Sequence, residues 1–246
     1  MSEEAPVFET TTGPVRVITA ASLFDGHDAA INVMRRLIQS SGAEVIHLGH
    51  DRSAKDVVDC AVQEDAHAVA LTSYQGGHME YFTYIRQLLD EAGCDHVRIF
   101  GGGGGTITPP EIRDLHKSGI SRIYSPDDGR KMGLMGMIHD LMGTASEVDL
   151  ISDDRLASLD GPIAADDMAK VGLLLTMSES ASDEDFKTMV EKVRSSDKDV
   201  PVIGFTGTGG AGKSSLLDEL MLRILRDNPD KKVCLLCVDP TRKRTG

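Results

Sequence analysis

Residues 15–28 have the sequence VRVITAASLFDGHD, in which an apolar, β-branched segment runs into a polar turn. Residues 15–20 are predicted to form a buried strand, and residues 28–41 have the apolar spacing of an amphipathic helix. A strand, a polar turn and a helix together form the repeating unit of a parallel sheet with crossover helices. The turn at 23–28 is therefore expected at the carboxyl end of its strand.

The same unit is predicted five times in the first 145 residues. The predicted strands are 15–20, 44–48, 68–72, 96–100 and 122–124, and the predicted helices are 28–41, 54–64, 79–92, 110–118 and 131–142. Five units of this size favour an α/β fold with a flavodoxin-like, doubly wound parallel sheet and the strand order 2-1-3-4-5. Ligands of such sheets bind at the carboxyl ends of the strands.

Three of these strand ends carry distinctive residues. The first is followed by Asp25-Gly26-His27, the third by the sequence TSYQGGH at 72–78, and the fourth by five glycines at 101–105. Successive glycines leave room for a large flat or a long thin ligand against the backbone. A carboxylate two residues from an imidazole can accept its Nδ1–H and leave Nε2 free as a metal ligand. The alternative for this turn is a helix start with an aspartate as N-cap. His78 is interpreted as a polar rim residue or a hydrogen-bond partner at a helix start.

A second motif lies at residues 207–214, where GTGGAGKS completes the phosphate-binding loop G-x-x-x-x-G-K-[ST]. It stands between a predicted strand at 201–206 and a predicted helix at 214–227. The backbone N–H groups expected to surround the phosphates belong to Gly209, Gly210, Ala211, Gly212, Lys213, Ser214 and Ser215. Lys213 would also reach the β- and γ-phosphates, and the Ser214 hydroxyl would hold Mg²⁺. The motif predicts a nucleoside triphosphate, but no Asn-Lys-x-Asp sequence identifies the base as guanine.

The domain organisation predicted from these motifs is a tail at 1–13, a sheet domain at 14–145, an acidic, partly helical linker at 146–199 and an incomplete P-loop domain at 200–246. Only two predicted strands, 202–206 and 232–239, follow the linker. We therefore expect the N-terminal part of a longer protein.

The chain has 39 acidic and 26 basic residues and a net charge of −13. This excess of negative charge argues against nucleic acid or an anionic membrane as partner. No apolar stretch approaches the roughly 18 residues needed to span a bilayer, and no signal peptide is evident, so a cytoplasmic location is expected.

The residues of the sheet domain resemble the cobalamin-binding domain of the B12-dependent mutases and methionine synthase, whose motifs are D-x-H-x-x-G, S-x-L and G-G. The resemblance implies that His27 is the lower cobalt ligand, that Asp25 is its hydrogen-bond partner, and that the nucleotide tail of the cofactor lies beside the glycines. The implied cofactor-binding residues are Asp25, Gly26, His27, Thr72, Ser73, Tyr74, Gly104 and Gly105. Two positions depart from the pattern, with Ala30 for glycine and Tyr74 for leucine, while Thr72 keeps a hydroxyl at the position of the family serine.

Longer stretches around these motifs, and the order of the domains, resemble the fused isobutyryl-CoA mutases. That resemblance implies adenosylcobalamin, GTP and Mg²⁺ as cofactors, with Asp239 as an acidic Mg²⁺ contact unless it only ends a strand in an Asp-Pro turn. It also implies a homodimer whose substrate barrel, absent from this chain, binds acyl-CoA. The full-length enzyme would be an isomerase that interconverts isobutyryl-CoA and n-butyryl-CoA by radical rearrangement and also hydrolyses GTP. We expect this chain alone to be inactive.

Two other classes of function remain open at this point. The chain could belong to a cobalamin carrier or sensor with a regulatory GTPase and no barrel. A flavodoxin or response-regulator domain is the other alternative, although flavodoxins need a Ser/Thr-rich loop after the first strand. Receiver domains need a phosphoacceptor aspartate after the third strand, where this chain has Thr72, Ser73 and Tyr74.

Overall fold

The computed structural model describes residues 8–164, 166–194 and 200–237. Contacts between Cα atoms divide the chain into two compact units, Met1–Ser196 and Asp197–Gly246. No helix within the described residues is long and apolar enough to cross a bilayer.

The first unit is built on a parallel sheet of five strands. A short antiparallel pair, β1 (Glu9–Thr10) and β2 (Gly13–Pro14), precedes the sheet. The strands of the five-stranded sheet are β3 (Arg16–Ser22), β4 (Glu44–Arg52), β5 (Ala68–Thr72), β6 (Arg98–Gly102) and β7 (Arg122–Tyr124). They lie in the order β4-β3-β5-β6-β7, which is the order 2-1-3-4-5 when the sheet strands alone are counted. The predicted fold class is confirmed.

Five helices connect and cover the strands. They are α1 (Asp28–Ser40), α2 (Ala54–Gln63), α3 (His78–Glu91), α4 (Pro109–Lys117) and α5 (Pro126–Ser146). Because successive side chains of a strand point to opposite faces, Ile18 packs in the core under α2, α3 and α4, while its neighbour Val17 packs in the core under α1 and α5. The helices therefore lie on both faces of the sheet, as in a doubly wound fold.

Helix α5 begins five residues earlier than the predicted start at 131. Ser125 and Asp128 form a capping box around its first turn, and Pro126 occupies the first helical position. Gly133 interrupts the helix with non-helical angles of φ 68° and ψ 175°. The apolar spacing that the prediction used lies mostly after this break, which explains the late start.

Residues 146–194 contain more regular structure than the predicted linker. Three helices, α6 (Asp153–Ala157), α7 (Met168–Ser180) and α8 (Asp183–Val193), enclose a small apolar cluster that includes Leu159, Leu173, Met177 and Val193. Buried Asp65 accepts hydrogen bonds from Arg155 at 2.6 Å and Thr176 at 2.7 Å, which fastens α6 and α7 to the sheet domain. Helix α6 is too short for a periodic pattern to reveal.

The second unit contains α9 (Lys213–Asp227) but none of its predicted strands within the described residues. The predicted strands at 201–206 and 232–239 are wrong as far as the structure describes them, to residue 237, because an extended segment becomes a strand only when its N–H and C=O groups pair with a neighbour. Val202 is 93% exposed and Leu236 is 88% exposed. The predicted Mg²⁺ contact Asp239 lies outside the described residues.

Candidate cofactor and nucleotide sites

The turn after β3 holds an aspartate and a histidine in contact. Asp25 is fully buried, and its Oδ1 accepts hydrogen bonds from the backbone N–H of His27 at 2.9 Å and from His27 Nδ1 at 2.8 Å. Burial would raise the pKa of the Asp25 carboxyl, but the hydrogen bonds from Tyr74 and His27 together hold that pKa below its usual value. An ionised carboxylate only accepts, so the proton of this pair lies on Nδ1.

The imidazole of His27 is 72% exposed, in contrast to its buried partner. With Nδ1 occupied, a neutral ring presents the lone pair of Nε2 as its free ligand atom. His27 also occupies the N-cap position of α1, and no side chain caps that helix. Neither Asp25 nor Asp28 therefore acts as the N-cap, contrary to the helix-start alternative.

Tyr74 joins this turn to the loop after β5. Its N–H donates to Asp25 Oδ2 at 2.6 Å, and its ring centroid lies 5.4 Å from that of His27. The ring also covers Gly104, where an added Cβ would lie 3.1 Å from Tyr74 Cε1. The structure thus brings together the three strand ends that the sequence singled out.

The five glycines at 101–105 differ in whether packing or backbone conformation requires them. A Cβ at Gly101 would lie 2.4 Å from the Phe82 ring, and one at Gly103 would lie 2.0 Å from the Ser73 carbonyl oxygen, so internal packing requires glycine at both positions. Gly104 has φ of 57°, which also favours glycine. Gly105 has open space around it. Only part of the run is therefore free to accommodate a ligand.

A cleft of about 490 Å³ opens between α1 and α5, over the carboxyl ends of β5, β6 and β7. Apolar side chains form most of its wall, and Gly104 and Tyr74 lie on its border. Thr72 also lines the cleft, and its hydroxyl is buried without a hydrogen-bond partner. Ser73 is also buried, but its hydroxyl accepts a hydrogen bond from Ser22 at 2.9 Å and does not line the cleft. The cleft suits a largely apolar group that brings one polar partner for Thr72.

Phe24 precedes the aspartate and was not singled out from the sequence. Its φ of 62° is rare for a residue with a side chain, and its N–H donates to Asp51 Oδ1 at 2.7 Å. The ring is 84% exposed. No local sequence signal identifies a left-handed phenylalanine, because the conformation is imposed by the Asp51 contact from β4.

The ligand atoms around His27 suit a metal held in a macrocycle better than a free metal ion. No cluster of three or more possible ligands occurs in the part of the chain that the structure describes. One imidazole cannot hold a free transition metal, which needs several ligands. A single exposed Nε2 can, however, supply one axial ligand to a metal that its own macrocycle already holds.

The loop of the phosphate-binding motif turns at two glycines in the left-handed region. Gly212, with φ of 80°, is the N-cap of α9, and Gly210 has φ of 77°. Lys213 Nζ donates to the carbonyl oxygens of Gly207 at 2.8 Å and Thr208 at 3.0 Å. The first N–H groups of α9, including those of Ser214 and Ser215, have no partner within the helix and form an anion-binding end.

The family-model matches give the class of this chain, a B12-binding domain followed by part of a MeaB-type GTPase. The family model "B12 binding domain" matches residues 15–127, and "Methylmalonyl Co-A mutase-associated GTPase MeaB" matches residues 170–246. The second match begins in α7, which belongs to the first compact unit.

Relatives extend the match over most of the chain. A fused isobutyryl-CoA mutase of Geobacillus kaustophilus is 50% identical over 94% of this chain and 22% of its own length. One of Nocardia farcinica is 51% identical over 95% of this chain and 21% of its own. A 2-hydroxyisobutanoyl-CoA mutase small subunit of Aquincola tertiaricarbonis is 31% identical over 46% of this chain and 82% of its own. The chain belongs to the family of the fused isobutyryl-CoA mutases and spans about a fifth of the length of those curated relatives.

Proposed function

We propose that the sheet domain binds cobalamin with His27 Nε2 as the lower ligand of cobalt and Asp25 as the hydrogen-bond partner of that histidine. The observation that carries this proposal is the exposed imidazole, whose Nδ1 lies 2.8 Å from the buried Asp25 carboxylate. Asp25 keeps the proton on Nδ1 and orients the ring, so that Nε2 is available to the metal. Gly26 lies between them, with open space around it.

The cleft would hold the nucleotide tail of the cofactor, beside the proposed cobalt ligand His27. Thr72 would give its unpartnered hydroxyl to that tail, and Tyr74 would border both the tail and the histidine. Gly104 and Gly105 would keep the rim clear of side chains. Ser73 would act indirectly, because its hydroxyl is bonded to Ser22.

The phosphate-binding loop is proposed to bind GTP with Mg²⁺. Lys213 would contact the β- and γ-phosphates, Ser214 would hold Mg²⁺, and Asp239 would be a further acidic contact. The match of residues 170–246 to a GTPase family supports GTP over ATP.

In the whole protein, the proposed reaction is the interconversion of isobutyryl-CoA and n-butyryl-CoA. The names of the longest-matching relatives support this reaction over a carrier or sensor role. Adenosylcobalamin, when bound, supplies the radical chemistry of such a rearrangement. The residues of this chain bind and orient the cofactor, while substrate contacts and a homodimer interface are proposed to lie elsewhere in the protein. The chain alone is therefore expected to show no mutase turnover.

The cleft assignment is tested by comparing adenosylcobalamin with a cobinamide, which lacks the nucleotide tail. Cobalamin is expected to bind at least about tenfold more tightly, a difference of about 1.4 kcal/mol. Ala30→Leu, which fills the cleft, should weaken cobalamin but not cobinamide. Ala29→Leu, at the exposed neighbouring position, is the matched control. Equal affinity for both corrinoids would contradict the placement of the tail.

A further inference from the structure

His78 lies between the loop after β5 and the first turn of α4. It is the first residue of α3, and its side chain is 4% exposed. Its Nδ1 donates to the Gln75 carbonyl oxygen at 3.1 Å. Its Nε2 lies 3.4 Å from Glu111 Oε2, within ion-pair distance when the ring is protonated, but without hydrogen-bond geometry. The ring therefore connects the loop after β5 with the first turn of α4.

Gln75 and Glu111, the two residues beside His78, each make hydrogen bonds to a further loop at the carboxyl ends of the strands. Gln75 Nε2 donates to the Leu23 carbonyl oxygen at 3.3 Å, next to the Asp25 turn. On the other side, Glu111 Oε2 accepts from Thr108 Oγ1 at 2.6 Å and from Thr108 N–H at 2.7 Å. These two hydrogen bonds, and more weakly His78, lower the pKa of Glu111 and keep it a carboxylate. One chain of polar contacts thus runs across the loops that follow β3, β5 and β6.

The loop that His78 holds carries Tyr74. The Tyr74 N–H donates to Asp25 Oδ2 at 2.6 Å, and the Tyr74 ring covers Gly104. A shift of this loop by about 1 Å would lengthen the Tyr74–Asp25 contact beyond the hydrogen-bond range. Asp25 would then lose one of the donors that hold its carboxylate in position beside His27.

We propose that His78 is a positioning residue of the cofactor site, which holds the loop at 73–77 so that Tyr74 fixes Asp25 and, through it, the cobalt-binding imidazole of His27. This inference rests on the proposed cobalamin function. His78 itself does not line the cleft. It acts through Gln75 and Tyr74, in the way that residues behind a metal ligand set its orientation.

The test measures adenosylcobalamin binding to the full chain by absorbance, which reports both the Kd and the fraction of cobalt with histidine bound. His78→Leu is expected to weaken binding about tenfold and to lower that fraction. His67→Leu is the matched control, because His67 is equally buried and its Nε2 also makes no hydrogen bond, but it lies before the amino end of β5. His67→Leu should cost stability without changing the affinity or the spectrum.

Two smaller variants keep the test valid if His78→Leu does not fold. His78→Asn retains an amide donor near the position of Nδ1, and His78→Gln places its amide near Nε2. His78→Asn should bind adenosylcobalamin more tightly than His78→Gln, because only the first preserves the contact with Gln75.

Equal affinities of His78→Asn, His78→Gln and the unmodified chain would overturn this inference alone. The inference alone would also be overturned if His78→Leu and His67→Leu had the same Tm and lost the same affinity for adenosylcobalamin. An unmodified chain that does not bind adenosylcobalamin would overturn the proposed function together with the inference.

Discussion

Thr72→Val should make the free chain more stable and the cobalamin complex weaker. Thr72 lines the cleft and is 7% exposed, and its Oγ1 is buried without a hydrogen-bond partner. Removing a buried, unsatisfied hydroxyl while keeping the shape of the side chain should raise the free energy of unfolding by about 1 kcal/mol. Loss of the hydrogen bond that Thr72 is proposed to make with the cofactor should weaken binding about two- to tenfold.

Urea denaturation of the free chain and absorbance titration with adenosylcobalamin give the two quantities separately. Thr19→Val is the matched control in the same sheet, because Thr19 is also buried but its Oγ1 lies 2.9 Å from His47 Nδ1. The control should lose about 1 kcal/mol of stability and leave the affinity unchanged. A Thr72→Val chain that is less stable when free, or that binds cobalamin as tightly as the unmodified chain, would refute the reasoning.

Three further changes test the backbone and the electrostatics of the first unit. Phe24→Gly should be more stable than Phe24→Ala by about 1 kcal/mol, because the φ of 62° strains any residue with a Cβ, and thermal unfolding of the pair measures this. Gly103→Ala should lower the free energy of unfolding by about 3 kcal/mol, because its Cβ would lie 2.0 Å from the Ser73 carbonyl oxygen. Gly105→Ala, whose Cβ would lie in open space, should change this free energy by no more than about 0.5 kcal/mol. Urea denaturation measures both. Burial, with help from nearby cations, lowers the pKa of His67 from 6.5 to about 4, so the unfolded state binds more protons between these values and stability should fall on acidification from pH 6.5 to 4. In His67→Asn, the free energy of unfolding should fall by about 3 kcal/mol less between pH 6.5 and 4 than in the unmodified chain. An unchanged dependence of stability on pH would contradict the assigned effect of burial.

The strands of the sheet could be predicted because they depend on local patterns, and their order followed from the fold class that five such units favour. Residues 68–72 and 122–124 are short, apolar and bounded by polar turns, and these two predicted strands coincide with β5 and β7. Asp25 and His27 were recognised because a two-residue spacing already permits the contact of 2.8 Å that the structure contains.

Other features depend on contacts between residues distant in sequence, which no local pattern reveals. The roles of Gly101 and Gly103 come from Phe82 and from the Ser73 backbone, so the glycine run gave no means to separate packing glycines from ligand-facing ones. The segment at 146–199 was predicted as an acidic, partly helical linker, but its docking depends on Asp65, which stands about a hundred residues earlier in the sequence and gives no local signal. The strands predicted beside the phosphate-binding loop require pairing partners, and apolar composition alone does not supply them.

The central claim is that His27 binds the cobalt of a cobalamin. The most direct measurement is the ultraviolet–visible spectrum of the purified chain titrated with cobalamin, compared with His27→Ala. We predict a saturable change to the spectrum of histidine-ligated, base-off cobalamin in the unmodified chain and its loss in His27→Ala. No saturable change, or one that His27→Ala leaves intact, would contradict the account.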